Sequence, residues 1–234
     1  MVFPMFDENP FKKPKWPYVT WAIIVLNVVI FVFQASAPDE TQRAILASFA
    51  AVPAAVSRDV SSSVLPELTL VTSMFLHGGW EHLLGNMVYL WVFGDDIEEA
   101  LGPLRYIVFY LGCGIMAALA FIAFNAHSTV PLVGASGAIS GVLAAYMMIR
   151  PCAKVSVFVL RVVLRVRAYW VIGLWVLLQV FFFASADDSD NVAYLAHLGG
   201  LVAGVVLLFG LKPDGLRLFQ CIGEGDTFSS VFGR

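Results

Sequence analysis

The chain of 234 residues is 59% hydrophobic and only 13% charged, with a mean hydropathy of +0.82 and a formal net charge of −3. Such a balance excludes a water-soluble globular domain, in which about a quarter of the residues would be charged. No basic patch interleaved with aromatics appears, so nucleic acid is excluded as a partner. Cys113, Cys152 and Cys221 have no metal-ligand spacing, and an odd, scattered set predicts no disulfide framework.

Residues 1–17 are polar and broken by prolines, with Lys12, Lys13 and Lys15 among them. Tyr18 to Ala35 is the first long apolar run, interrupted by Thr20, Asn27 and Gln34. The positive flank and the Ala35-Ser36-Ala37 that follows also fit a cleavable signal peptide. The run is long for a signal core, so a retained membrane helix is expected. Residues 36–81 form the first loop, carrying Pro53 and Pro66 and apolar pieces too short to span, Ala44–Val56 and Leu68–Leu76. A connection of that length is usually functional or interfacial.

A second helix is predicted from His82 to Ile97, closed by Asp95, Asp96, Glu98 and Glu99 and then Gly102-Pro103. Leu104–Ala126 gives a third helix and Ser136–Ile149 a short fourth. At 1.5 Å per residue the fourth would be about 21 Å long, against a hydrocarbon core of about 30 Å. It therefore starts below one surface, or the loop before it dips in. Residues 150–167 scatter Arg150, Lys154, Arg161, Arg165 and Arg167 among valines and leucines, which suits a basic segment lying on a membrane surface. Tyr169–Ser185 is a fifth helix, Asp187–Asn191 an acidic turn and Tyr194–Leu211 a sixth helix. The tail 212–234 is polar and glycine-rich.

With both ends cytoplasmic, inner segments hold twelve of the fourteen basic residues, leaving only Arg43 and Arg58 outside. The positive-inside rule then gives six spans with both termini in. The fold class expected is an all-α, polytopic bundle over 18–211.

Histidine is scarce, and its distribution points to the site. His127 lies in a loop, where a solvated histidine is the default. His77 and His82 sit at the outer mouth of the second helix, with Asn86 on the same face as His82, and His197 sits near the outer start of the sixth. Ser136 opens the fourth helix within Gly134-Ala135-Ser136-Gly137. A Gly137/Gly141 pair alone reads as a packing motif. Gly200 and Gly204 follow His197 at the same spacing, however, so the two glycine faces can bring hydroxyl and imidazole together. A serine hydroxyl needs an adjacent base to attack an amide. The oxyanion that forms needs donors, and the Asn86 amide, the His82 ring and the Ser136 backbone N–H are candidates. No Asp or Glu lies near His197 in sequence, so a Ser–His dyad is expected rather than a triad. The GxSxG elbow of soluble hydrolases is absent.

These motifs, His77…His82-x-x-x-Asn86, Gly134-x-Ser136-Gly137 and Ala196-His197 followed by glycines, resemble those of rhomboid intramembrane serine proteases. The resemblance implies Ser136 as nucleophile and His197 as general base and acid. It implies an oxyanion site of His82, Asn86 and the Ser136 amide, with Gly134 shaping the loop. His77 matches a histidine that orders the first loop, and Gly137 and Gly200 support the helix contact. Glu98 and Gly102 match a structural Glu-x-x-x-Gly. The resemblance further implies transmembrane substrates cut near their outer end, water reaching the site from that side, and no metal or cofactor. The Trp-Arg pair of many relatives is missing from the first loop, and Ser140 stands where some carry a tyrosine against the histidine.

The alternative is a catalytically silent rhomboid-like protein that binds membrane clients. A transporter would call for paired broken helices and charged pore residues, and the sequence has neither. Short ends without an organelle-type leader point to a bacterial inner membrane, and nothing in the sequence names an oligomeric state.

Overall fold

A computed structural model describes residues 3–7, 16–58, 65–159, 162–185 and 194–221. Lys12, Lys13, Lys15, Arg161, Arg234 and the acidic turn at Asp187–Asn191 lie outside the described residues. Strand β1 (Phe3–Asp7) precedes helix α1 (Tyr18–Ser36). The first loop contains α2 (Asp39–Phe49), α3 (Pro53–Val56), α4 (Pro66–Thr72) and a 3₁₀ turn at Ser73–Phe75. Helices α5 (Trp80–Leu101), α6 (Pro103–Phe124) and α7 (Ser136–Ile149) follow, then the hairpin β2 (Lys154–Val159) and β3 (Val162–Arg167). Helices α8 (Ala168–Ser185) and α9 (Tyr194–Leu211) complete the bundle.

Among the described residues four helices, α1, α6, α8 and α9, are long and apolar enough to cross a membrane. The other two principal helices differ for visible reasons. Helix α5 ends in its acidic cluster, and α7 has only 14 residues. Every residue of α7 from Gly137 to Tyr146 is buried, and the helix packs against α5, α6 and α9. Gly102 lies at the corner between α5 and α6 with φ +80°, and Pro103 opens α6 with its fixed φ.

Two contacts tie the bundle together far from Ser136. The Glu98 carboxylate on α5 accepts the backbone N–H groups of Val19 and Thr20 (3.0 and 2.7 Å) and the Thr20 hydroxyl (2.8 Å). A carboxylate there satisfies helix amides that have no partner within α1 and suits the positive end of its dipole. Beyond the end of α7, the Arg150 guanidinium pairs with Asp96 of α5 and, at 3.2 Å, with Asp7 of β1. The Tyr146 hydroxyl donates to the same Asp7 carboxylate at 2.5 Å.

Two expectations are corrected. Residues 150–167, read from the sequence only as a basic segment, fold as a β-hairpin. Lys154–Val159 and Val162–Arg167 pair antiparallel (Val155 opposite Val166, Val157 opposite Leu164), and β1 adds to the far edge of β2. The all-α class thus becomes a mostly helical bundle carrying a three-stranded sheet. Valines at 155, 157 and 159 alternate along β2 and suit a pleated strand, and Val155 and Val157 are buried in the core. The cysteines are also not all unpaired: Cys152 is disulfide-bonded to Cys221, with Cα atoms 5.0 Å apart. Their 69-residue separation hides a tail that folds back, burying Leu216 and donating the Phe219 N–H to the Met148 carbonyl.

Candidate active site

The N-terminal ends of α5, α7 and α9 converge, and the convergence begins with glycine. A Cβ added to Gly204 would lie 2.5 Å from the Gly141 Cα, and one on Gly200 would sit 2.9 Å from the Gly137 carbonyl carbon. Backbone therefore touches backbone where α7 and α9 cross, as close small-residue contacts allow. One turn up, this approach sets the Ser136 Oγ 2.8 Å from the His197 Nε2. Both residues are half-buried.

The other face of His197 meets α8. Its Nδ1 lies 2.6 Å from the Gln179 Oε1. A carbonyl oxygen only accepts, so Nδ1 carries the proton and Nε2 presents its lone pair to the Ser136 hydroxyl. Trp175 of α8 and Tyr194 of α9 flank the ring, with centroids 5.8 and 6.5 Å away. No residue of α8 was among those singled out in the sequence. The signal was nonetheless present, because Gln179 is a lone amide within a long apolar run. Ser140 turns back on its own helix and donates to the Ser136 carbonyl at 2.7 Å.

The donor side is organised around Gly134. This residue has φ +114°, a conformation that glycine adopts readily, and its N–H is held by the Ser73 carbonyl at 2.9 Å. A Cβ there would lie 2.7 Å from the His82 Nε2 and 3.5 Å from the Asn86 Nδ2, so both side chains crowd the loop two residues before Ser136. Asn86 donates one amide hydrogen to the His77 Nε2 at 2.9 Å, and an amide nitrogen carries two. The Ser136 N–H belongs to the first turn of α7, where amides lack partners within the helix and the dipole is positive.

His77 is fully buried and is held from α1. The Gln34 Nε2 donates to the His77 carbonyl at 2.8 Å, and the His77 N–H reaches the Gln34 Oε1 at 3.4 Å. This amide clamp ties the end of the first loop to α1, and sequence reasoning missed it. Burial, then the nearby His82, pushes the His77 pKa down to about 4. His127, in the loop after α6, is exposed. Among the described residues no three His, Cys, Asp or Glu side chains are grouped as a metal site. An apolar groove of about 640 Å³, lined by residues such as Ile24, Met87 and Trp91, holds none of the residues above.

The comparisons with known proteins fit this geometry. The family model of the rhomboid domain matches residues 67–213, well over half of the chain. The chain belongs to the rhomboid family. It is 30% identical over 135 residues to rhomboid protease GluP of Bacillus subtilis, covering 58% of this chain and 24% of the relative. Identity to the mitochondrial rhomboid protein 1 of Saccharomyces cerevisiae is 30%, covering 61% of this chain and 41% of the relative. The chloroplastic rhomboid-like protein 11 of Arabidopsis thaliana is 31% identical, with 61% of this chain and 51% of the relative covered. The matched part of the chain thus spans from 24% to 51% of the length of these relatives. Together with its long apolar helices, membership in the rhomboid family makes this an integral membrane protein.

Proposed function

We propose that this rhomboid-family protein is an intramembrane serine endopeptidase that cuts transmembrane segments of other membrane proteins near their outer end. The observation that carries the reading is the 2.8 Å contact between the Ser136 Oγ and the His197 Nε2. In this mechanism His197 takes the hydroxyl proton as Ser136 attacks the scissile carbonyl. His82, Asn86 and the Ser136 N–H receive the oxyanion, and the imidazolium then protonates the leaving amine. Water completes the cycle by hydrolysing the acyl-enzyme, with no metal or cofactor. Six helices, α1 and α5 to α9, lie in a bacterial inner membrane with both termini cytoplasmic, their outer faces against the lipid bilayer and the site open to water from the outer side. A substrate helix must unwind to expose its amide, so helix-breaking residues near the cut favour cleavage.

The test is cleavage of a model transmembrane substrate in proteoliposomes. Ser136→Ala and His197→Ala should each lower the rate by about 10⁴-fold or more with melting unchanged. Undiminished cleavage by either variant refutes the mechanism. Substrate binding without any cleavage by the wild type would instead identify a silent rhomboid-like binder of membrane clients.

A further inference from the structure

The geometry points to Gln179 as a positioning residue that holds His197 in the tautomer able to accept the Ser136 proton. This inference rests on the peptidase reading above and adds a third, uncharged member to the pair. Helix α8 buries only Ala168, Ile172 and Gln179 of its 18 residues, and Gln179 is the one polar side chain among the three. An amide within such an apolar helix carries a desolvation cost that only a hydrogen-bonded partner offsets. Its Oε1 meets the His197 Nδ1 at 2.6 Å, on the opposite side of the ring from Ser136. Were the amide reversed, its NH₂ would donate to Nδ1, and Nε2 would carry the proton and lose its capacity as a base. The carbonyl orientation is therefore the functional one. Among the described residues the His197 Nδ1 has the Gln179 amide as its hydrogen-bond partner, while Ser140 is directed at the Ser136 carbonyl. Among titratable groups, His82 on α5 and Tyr194 on α9 itself face the imidazole.

The experiment compares wild type with Gln179→Met, which matches the shape without a strong acceptor, and Gln179→Glu, which can accept but has no NH₂. Two readouts are used in detergent: the rate of Ser136 phosphonylation by a fluorophosphonate, and ¹⁵N-histidine NMR of the His197 tautomer, read against a His197→Ala spectrum. The net worth of a neutral hydrogen bond predicts a loss of about tenfold in phosphonylation for Gln179→Met. The Nδ1–H signal of His197 should weaken in the same variant. Gln179→Glu should keep the Nδ1–H tautomer, label Ser136 at a rate near wild type, and move the acid limb of the pH profile upward, since a carboxylate favours imidazolium. An unchanged tautomer in Gln179→Met overturns the inference, and so does a Gln179→Glu variant as slow as Gln179→Met. Because the tautomer is read without turnover, a wild type that shows Nδ1–H but no labelling refutes the peptidase reading while leaving the role of Gln179 in the ring geometry supported.

Discussion

Gly134→Ala perturbs the donor side of the site at one atom. At φ +114° the added methyl costs about 1–3 kcal/mol in backbone strain. The same methyl would lie 2.6 Å from the His82 Cε1 and 2.7 Å from its Nε2. The imidazole must retreat by roughly 1 Å to reach ordinary carbon contact distances. Forced repacking of this kind costs about 1–3 kcal/mol, so the expected loss of stability is about 2–6 kcal/mol. Removing one oxyanion donor lowers rates by about 10²–10³-fold, and displacing His82 should approach that range. The assay is thermal unfolding in detergent together with the initial rate of cleavage, normalised to folded protein. Gly85→Ala is the control, since a Cβ there meets nothing within 4 Å. A Gly134→Ala variant that matches this control in melting and rate would refute the packing of His82 against the loop as the basis of the site.

Gly204→Ala should force α9 off the Gly141 backbone, costing about 3 kcal/mol by overpacking and slowing cleavage as the Ser136–His197 contact lengthens. Gly210→Ala, in open space, should change neither, and equal behaviour of the two in melting and cleavage would contradict the close crossing. Glu98→Ala should lose about 3 kcal/mol by stripping the start of α1 of its acceptor, with cleavage per folded molecule unchanged. A pH dependence of stability follows from His77, whose pKa is lowered to about 4 in the fold. Between pH 6.5 and 4 the unfolded chain holds a proton that the folded chain refuses, so stability is complete above pH 6.5 and falls as the pH drops. At about 1.4 kcal/mol per pKa unit, the full loss is about 3 kcal/mol. Unfolding measured from pH 8 to 4.5 should show this contribution, and His77→Asn should make the slope shallower; an identical slope in the variant would contradict it.

What could be read in the sequence was whatever is written locally. The bounds of α7 and α9 follow from apolar runs closed by Arg150 and Lys212, and the glycine pairs at 137/141 and 200/204 are where the two helices cross. Position along parallel helices was enough to group Ser136, His197, His82 and Asn86. Contacts between residues far apart in the chain were not legible. Asp7 reaches Arg150 and Tyr146 across more than 130 residues, and the Cys152–Cys221 pair depends on how the tail returns. The hairpin was not recognised because its arginines and lysine drew attention from the alternation of Val155, Val157 and Val159 in β2. Gln34 and Gln179 were passed over as polar interruptions of apolar runs, although an amide in a span needs a partner and each found one beside a site histidine.

The central claim, that Ser136 is a nucleophile made reactive by His197, has one direct measurement. Membranes containing the protein are treated with a fluorophosphonate, digested, and the modified serine is located by mass spectrometry. The account predicts a phosphonyl adduct on Ser136, formed at least 10³-fold more slowly in His197→Ala. Modification of other serines in its place, or an equal rate at Ser136 without the imidazole, would contradict it.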